Sequence, residues 1–362
     1  MIKLGSSTVT AGGTAPDHAR LAALADEVIA LREDGHTVVL VSSGAVACGR
    51  AILGSTANGT SVTEKQQLAA LGQPGLMAIY QQLFAERGAL AAQILLTRAD
   101  LERRRGYLNA RNTLLGLIER GIVPVVNEND TVATEEIRVG DNDTLSARVA
   151  GLVEADLLVM LTDRDGIFER DPARHADARL IEEVAAGPIA DSVREAVGGA
   201  AGALGTGGMA TKLKAAELAR RSGCAVVVCH GRTEGLVRRV VAGERIGTRF
   251  HAEGGRVQAR KRFLLSLGQL DAALLVDAGA AEALRSGRSL LAVGLRDVKS
   301  RFHRGDPVRV LDPDGVEVAR GLVNYDAGDL RRLCGQRSAD IVGLLGYHYG
   351  DEAMHRNNLV LL

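Results

Sequence analysis

Hydrophobic and polar positions along the first two thirds of the chain fall into two kinds of block. Short β-branched runs, HTVVLVSSG (36–44), IVPVVNEND (122–130), DLLVMLTDRDG (156–166) and CAVVVCHGR (224–232), each end in small or polar residues. Long stretches of helical period lie between them. PDHARLAALADEVIALREDG (16–35) opens on Pro16 and Asp17 and closes on Gly35, the asymmetry expected of helix start and stop signals. TEKQQLAALGQPGLMAIYQQLFAERG (63–88) reads as another helix, broken near Pro74. Continuous apolar strands alternating with helices predict an α/β fold, a three-layer αβα sandwich around a mostly parallel central sheet. Ligands of such sheets sit beyond the C-terminal strand ends.

After about residue 262 the period changes. GDPVRVLDPDGVEVARGLVNY (305–325) alternates with a period near two around DPDG, a hairpin signal. The pattern divides the chain into an α/β domain (1–262), a linker (263–270) following the basic stretch RVQARKRF (256–263), and a small β-rich domain (271–362).

Composition narrows the function classes. The 362 residues carry 44 acidic and 44 basic side chains, so no global field draws the protein to nucleic acid or a membrane. Within 271–362 the count is 12 basic against 13 acidic, with few aromatics, which argues against RNA binding there. MIKLGSSTVTAGG has no basic segment followed by an apolar one, and no run of about 18 apolar residues suggests a membrane span. Cys48, Cys224, Cys229 and Cys334 fit neither a C-x-x-C motif nor a disulfide framework, as expected of reduced thiols in a cytoplasmic protein. CAVVVCH (224–230) reads as a buried strand, because its ligand spacing is wrong for zinc.

The chemistry concentrates at polar strand ends. GALGTGGMATKLKAA (202–216) sets Gly202, Gly205, Gly207 and Gly208 ahead of a helical stretch, an arrangement that lets backbone N–H groups close around phosphate. It is not a Walker A loop, since Lys212 follows Thr211 and precedes Leu213. Nor does it carry the spacing of a dinucleotide fingerprint. Only six of the 44 basic residues are lysines, and two of these, Lys3 in IKLGSS and Lys212 in GGMATK, lie in small-residue turns. A compact ammonium suits a single point on a phosphoryl group where a guanidinium would not fit. VSSGAVACG offers Ser42, Ser43 and Gly44 as donors at a helix start. Two nearby polar clusters hold Asn127, Asn129 and Asp130, then Asp141, Asn142 and Asp143; Asp143 could also be a helix N-cap. Thr162 and Asp163 follow a further strand.

With KLGSS, VSSGAVACGR, QILLTRAD, YLNARNTL, VVNENDTVAT, VGDNDTLSA, LTDRDGIF and GTGGMATK in this order, the chain resembles the amino acid kinase family, and within it the glutamate 5-kinases. Its C-terminal segment resembles a PUA domain. The resemblance implies ATP-dependent phosphorylation of the γ-carboxylate of L-glutamate, the first step of proline biosynthesis. It assigns Lys3, Lys212 and Asp143 to catalysis, with Asp143 orienting the lysines and metal rather than taking a proton. Ser43, Gly44, Asp130 and Asn142 would hold glutamate. Lys3, Thr162, Asp163 and the stretch Thr206, Gly207, Gly208, Met209, Ala210, Thr211 and Lys212 would hold ATP. Magnesium would be carried mainly by the ATP phosphates, with no protein ligand assigned. The resemblance further implies inhibition by proline, a homo-oligomer (dimer or tetramer), and association with glutamyl-phosphate reductase. Relatives carry more residues ahead of the Lys3 strand than Met1 and Ile2, so that strand is expected to pair poorly on that side, and the corresponding expectation is a start further upstream or a trimmed copy.

Overall fold

The computed structural model describes residues 1–54, 61–133, 141–198, 208–255 and 270–362. They fall into two compact units, Met1–Leu101 with Ala110–Arg256, and Glu102–Asn109 with Val257–Leu362. The basic stretch 256–263 and all but the last residue of the linker expected at 263–270 lie outside the described residues.

Eight strands of the larger unit form one sheet. Their order is β3 (Ala91–Leu96), β4 (Val123–Glu128), β2 (Leu40–Ser42), β1 (Ile2–Leu4), β5 (Leu157–Thr162), β7 (Ala225–His230), β8 (Thr248–Phe250) and β6 (Glu183–Val184). Every neighbouring pair is parallel except β7 and β8. The intervening chain forms helices α1 (Ser6–Val9), α2 (His18–Glu33), α3 (Ala45–Leu53), α4 (Val62–Ala85), α5 (Arg98–Glu102), α6 (Arg104–Glu119), α7 (Asp141–Leu152), α8 (Asp191–Gly198), α9 (Gly208–Arg221) and α10 (Leu236–Val241). The expected signals for α2 are used: the Asp17 carboxylate accepts from Arg20 N–H at 2.9 Å, and Gly35 takes a positive φ of 86° just past the end.

The strands read as unbroken apolar runs because both sheet faces are covered. Ile2, Leu4, Val159, Leu161, Val227 and Cys229 pack on one side with Leu21, Leu24 and Val28 of α2 and Tyr80 and Phe84 of α4. Leu158, Met160, Val226 and Val228 pack on the other with Ala147 and Ala150 of α7 and Ala215, Ala216 and Ala219 of α9. CAVVVCH is accordingly a central strand, and burial pushes the Cys229 thiol up to about 12. Alternation also aims Lys3. With Ile2 and Leu4 facing the α2 side, Lys3 between them faces α7 and α9.

Two expectations are corrected. Strand β1 pairs on both sides despite its short lead: Ile2 registers with Leu40 and with Val159, and the carbonyl of Met1 already accepts from Val159 N–H at 2.9 Å. Being sandwiched between two parallel neighbours, three residues suffice to hold it. Helix α4 is not broken at Pro74 but runs 24 residues through it. Proline deletes one backbone bond, and the close packing of α3 along α4 compensates. A Cβ on Gly49 would stand 2.0 Å from the Leu68 carbonyl oxygen, and one on Gly72 2.0 Å from that of Ala45. Backbones this close keep α4 in one piece.

In the smaller unit a five-stranded sheet runs β11 (Leu295–Lys299), β9 (Ala273–Val276), β12 (Pro307–Leu311), β13 (Glu317–Leu322), β15 (Leu359–Leu361), beside a pair β10 (Leu290–Leu291) and β14 (Glu352–Met354). The DPDG hairpin joins β12 to β13 in antiparallel register. The Asp312 carboxylate accepts from the N–H groups of Asp314 (3.1 Å) and Val316 (3.0 Å), and Gly315 supplies the positive φ that the turn requires. Leu274, Val310, Leu330 and Ile341 belong to a separate core of this unit.

Candidate active site

The C-terminal ends of β1, β2, β4 and β5 and the N-terminal turns of α3, α7 and α9 enclose a cavity of about 350 Å³. Parallel strands point their ends the same way, so motifs far apart in sequence meet there.

At one end three charged side chains converge. Lys3 forms an ion pair with Asp143 Oδ1, and Lys212 Nζ lies 3.2 Å from Asp143 Oδ2. The Thr211 hydroxyl donates to the same Oδ2 at 2.8 Å, and Lys212 also donates to the Gly208 carbonyl at 3.0 Å. All three ionic groups are buried. Burial pushes Lys3 down, Asp143 pulls it back up, and Lys212 opposes that recovery. Burial would raise Asp143, but the ammonium groups of Lys3 and Lys212 outweigh it and hold the carboxyl below its ordinary value. Two cations thus share one carboxylate, leaving an excess positive charge in a low-dielectric wall. Such a surplus attracts anions strongly. Asp143 is the third residue of α7 and spends its carboxylate on these tertiary partners rather than on its own helix start.

The β5 end adds Thr162 and Asp163. The Thr162 hydroxyl donates to Asp163 at 3.0 Å; burial would raise Asp163, but this bond and nearby charges hold it low. Gly208, Thr211 and Lys212 line the same cavity. Met209 and Ala210 occupy the same first turn of α9 without lining it, and Thr206 and Gly207 lie outside the described residues.

The opposite end is built differently. Gly44 caps the start of α3 with φ 115°, and a Cβ there would lie 2.8 Å from Val9 Cγ1, so only glycine fits. Ser43 Oγ accepts from Asn142 Nδ2 at 2.9 Å. Asn142 is itself fixed: the same Nδ2 donates to Asn127 Oδ1 at 3.0 Å, and its Oδ1 accepts from Glu128 N–H at 3.2 Å. Behind it Asn127 donates to Gln73 at 2.8 Å, and Gln73 donates to Gln93 at 2.9 Å. Ser42 points away from the cavity and pairs with Tyr80 OH at 2.7 Å. Asp130 lines the cavity half-buried, and burial pushes it up to about 6. No cation among the described residues is paired with it.

Asn127 therefore supports the cavity from behind rather than lining it, and Asn129 serves the turn after β4, where its carbonyl accepts from Val132 and Ala133 N–H. Sequence reasoning passed over Lys65, on the first turns of α4, which lines the cavity. Its signal was available: it is a third member of the scarce lysine set already used to single out Lys3 and Lys212. Among the described residues no group of three or more His, Cys, Asp or Glu is placed to hold a metal ion. No helix among them is long and apolar enough to cross a membrane.

The model of the amino acid kinase family matches residues 1–230, and that of the PUA domain matches residues 272–345. A glutamate 5-kinase of Deinococcus radiodurans is 51% identical over 363 residues, covering 100% of this chain and 99% of its own. One of Pseudomonas putida is 50% identical over 364 residues, covering 100% and 97%. Among solved structures, the UMP kinase of Bacillus anthracis aligns with a TM-score of 0.50 at 18% identity, covering 70% of this chain and 95% of its own, which is a likeness of fold.

Proposed function

The chain belongs to the amino acid kinase family, within its glutamate 5-kinase branch, and from that premise we propose that it transfers the γ-phosphoryl group of ATP to the γ-carboxylate of L-glutamate. The product is L-glutamyl 5-phosphate, and the reaction opens proline biosynthesis. The observation that carries this reading is the cavity with the Lys3–Asp143–Lys212 cluster at one end and, at the other, the Asp130 carboxylate with no cation partner among the described residues. A molecule with a reacting carboxylate at one end and an ammonium at the other fits that polarity.

The chemistry explains why no general base is needed. A free glutamate side chain titrates near ~4.3, so the nucleophile is already ionised at neutral pH. The barrier lies in bringing a carboxylate against a polyanion and spreading the charge that develops during transfer. Lys3 and Lys212 neutralise the transferring phosphoryl and the β–γ bridge, and Asp143 holds both ammonium groups in place before substrate arrives. Thr162, Asp163 and the start of α9 from Thr206 to Lys212 bind ATP. Ser43 binds a glutamate carboxylate oxygen, Gly44 and Asn142 shape the same glutamate-holding end, with Asn142 orienting Ser43, and Asp130 pairs with the ammonium. Asp143 is committed to the lysines, so the residues present would leave magnesium to the ATP phosphates, and when bound it would supply further charge neutralisation beside Lys3 and Lys212.

Proline, which keeps the amine and α-carboxylate but has no γ-carboxylate, competes at the Asp130 end and inhibits. Residues 1–262 form the catalytic domain, 263–270 the linker and 271–362 a domain supporting regulation or homo-oligomer assembly. A cytoplasmic setting with a glutamyl-phosphate reductase nearby suits a labile acyl phosphate.

Trapping with hydroxylamine in the presence of Mg-ATP tests the reading. L-glutamate, L-aspartate, N-acetylglutamate and bicarbonate are compared, each with and without proline. A hydroxamate from glutamate alone, suppressed by proline, is the expected result. A hydroxamate from another acid, or from none, overturns it.

A further inference from the structure

The end of the cavity that holds Ser43 is linked to the edge strand β3 by a row of side-chain amides. Asn142 Nδ2 donates to Asn127 Oδ1 at 3.0 Å, Asn127 Nδ2 to Gln73 Oε1 at 2.8 Å, and Gln73 Nε2 to Gln93 Oε1 at 2.9 Å. An amide can point either way round, so a row of them has a direction only where something fixes it. Here a backbone group does. Glu128 N–H can only donate, and both Asn127 Oδ1 (2.9 Å) and Asn142 Oδ1 (3.2 Å) accept from it. Asn142 therefore turns Nδ2 toward Ser43 Oγ, 2.9 Å away, and Asn127 turns Nδ2 toward Gln73.

The consequence falls on the Ser43 hydroxyl. The backbone of Ser43 is already committed, its N–H to the Leu4 carbonyl at 3.0 Å and its carbonyl to the Ser42 hydroxyl at 2.8 Å. Its Oγ accepts from Asn142, so its own proton is left for an acceptor in the cavity it lines. A hydroxyl held as a donor favours a carboxylate oxygen, where the bond is charge-assisted.

Gln73 is placed independently of this row. It follows Gly72, where a Cβ would stand 2.0 Å from the Ala45 carbonyl oxygen, so α4 touches the chain just beyond Ser43. Gln93 registers with Val125 on β4, and Val125 and Asn127 share a sheet face by alternation. Helix α4 covers that face, where Val125 packs with Leu76 and Tyr80. Asn127 is buried, so without Gln73 its Nδ2 loses its acceptor and the amide loses its fixed direction. Gln73 does not line the cavity, and its influence on a bound molecule runs through Asn127 and Asn142.

We propose that Gln73 is a positioning residue: through Asn127 and Asn142 it holds Ser43 as a hydrogen-bond donor to the carboxylate of the substrate. The proposal rests on the glutamate reading above.

The test compares Gln73→Met, which keeps the side-chain length but offers Asn127 no strong acceptor, with Gln73→Glu, which keeps the acceptor and loses only the bond to Gln93. In the hydroxamate assay Gln73→Met raises the glutamate KM about tenfold, with kcat and the ATP KM within about threefold of wild type. Gln73→Glu stays within about threefold on all three. Both are repeated in a Ser43→Ala background. There Gln73→Met adds less than about twofold, because the hydroxyl it orients is gone; lost packing alone would add its full effect again. Gln73→Lys, which presents a donor where Asn127 needs an acceptor, carries the same expectation and serves if the Met variant does not fold. If Ser43→Ala turns over too slowly to read, the contrast between Met and Glu decides alone. Equal losses in Met and Glu, a loss confined to kcat, or an undiminished Met effect without the Ser43 hydroxyl overturns the proposal. A wild-type protein that forms no hydroxamate from glutamate overturns the underlying function instead.

Discussion

At one end of the cavity two ammonium groups are already paired, through Lys3 and Lys212, with a buried Asp143; at the other, Asp130 stands half-buried with its carboxyl raised to about 6 and no cation among the described residues beside it. The first arrangement is preorganised. Its dipoles and charges are set before substrate arrives, so little reorganisation is needed as charge develops on a phosphoryl group. On the proposed reading the second is completed by the ammonium of the bound amino acid. Residues at the first end are thus expected to govern the rate of the chemical step, and residues at the second to govern which acid is held there.

The largest effect separates the two ends at once. Lys212→Ala should lower kcat by about 10²- to 10⁴-fold with the KM for glutamate nearly unchanged, as steady-state kinetics will show. Asp130→Asn should do the reverse, raising the glutamate KM by about 10- to 100-fold while kcat and the ATP KM move little. Equal effects of either substitution on both parameters would erase the distinction.

The smallest effects concern pH and stability, and both follow from the raised Asp130. The pairing form is the carboxylate, so glutamate binding should weaken as pH falls through about 6, by about tenfold per unit below it. Asp130→Asn should flatten that part of the KM profile between pH 5 and 8 (roughly the range over which the group titrates). In the unfolded chain the group loses its proton near the ordinary 3.8, whereas in the folded one it keeps it to about 6. The folded state therefore binds more protons between these values, and stability is lost as pH rises through them. Removing the charge should stabilise the protein at neutral pH, on the order of 1–3 kcal/mol, read as a higher Tm; a Tm that falls would count against an unpaired carboxylate.

The strands at the sheet centre were legible because burial on both faces demands β-branched runs, and Val125, Val126, Val227 and Val228 supply them. Strand β3 was not read, since AAQILL opens on two alanines and a glutamine and lies at the sheet edge, where burial is incomplete. Pro74 misled because local propensity says nothing about the α3 backbone pressed against α4. In the site, Lys3, Lys212, Ser43, Asp130, Asn142 and Asp143 stood out as polar residues at strand ends or in glycine-rich turns, and the cavity gathers them. Lys65 did not, because it sits inside a helical stretch where a lysine looks like solvated surface. The partnership of Asp143 with both lysines is a tertiary fact: its members are 140 and 69 residues apart in the chain and meet through the parallel order of the sheet.

Calorimetric titration of L-glutamate into Lys212→Ala and Asp130→Asn tests the division of labour most directly, because it reads binding without turnover. The account predicts that Lys212→Ala binds glutamate with the wild-type affinity while forming hydroxamate about 10²- to 10⁴-fold more slowly, and that Asp130→Asn binds it about 10- to 100-fold more weakly. Loss of glutamate binding in Lys212→Ala, with affinity intact in Asp130→Asn, would contradict it.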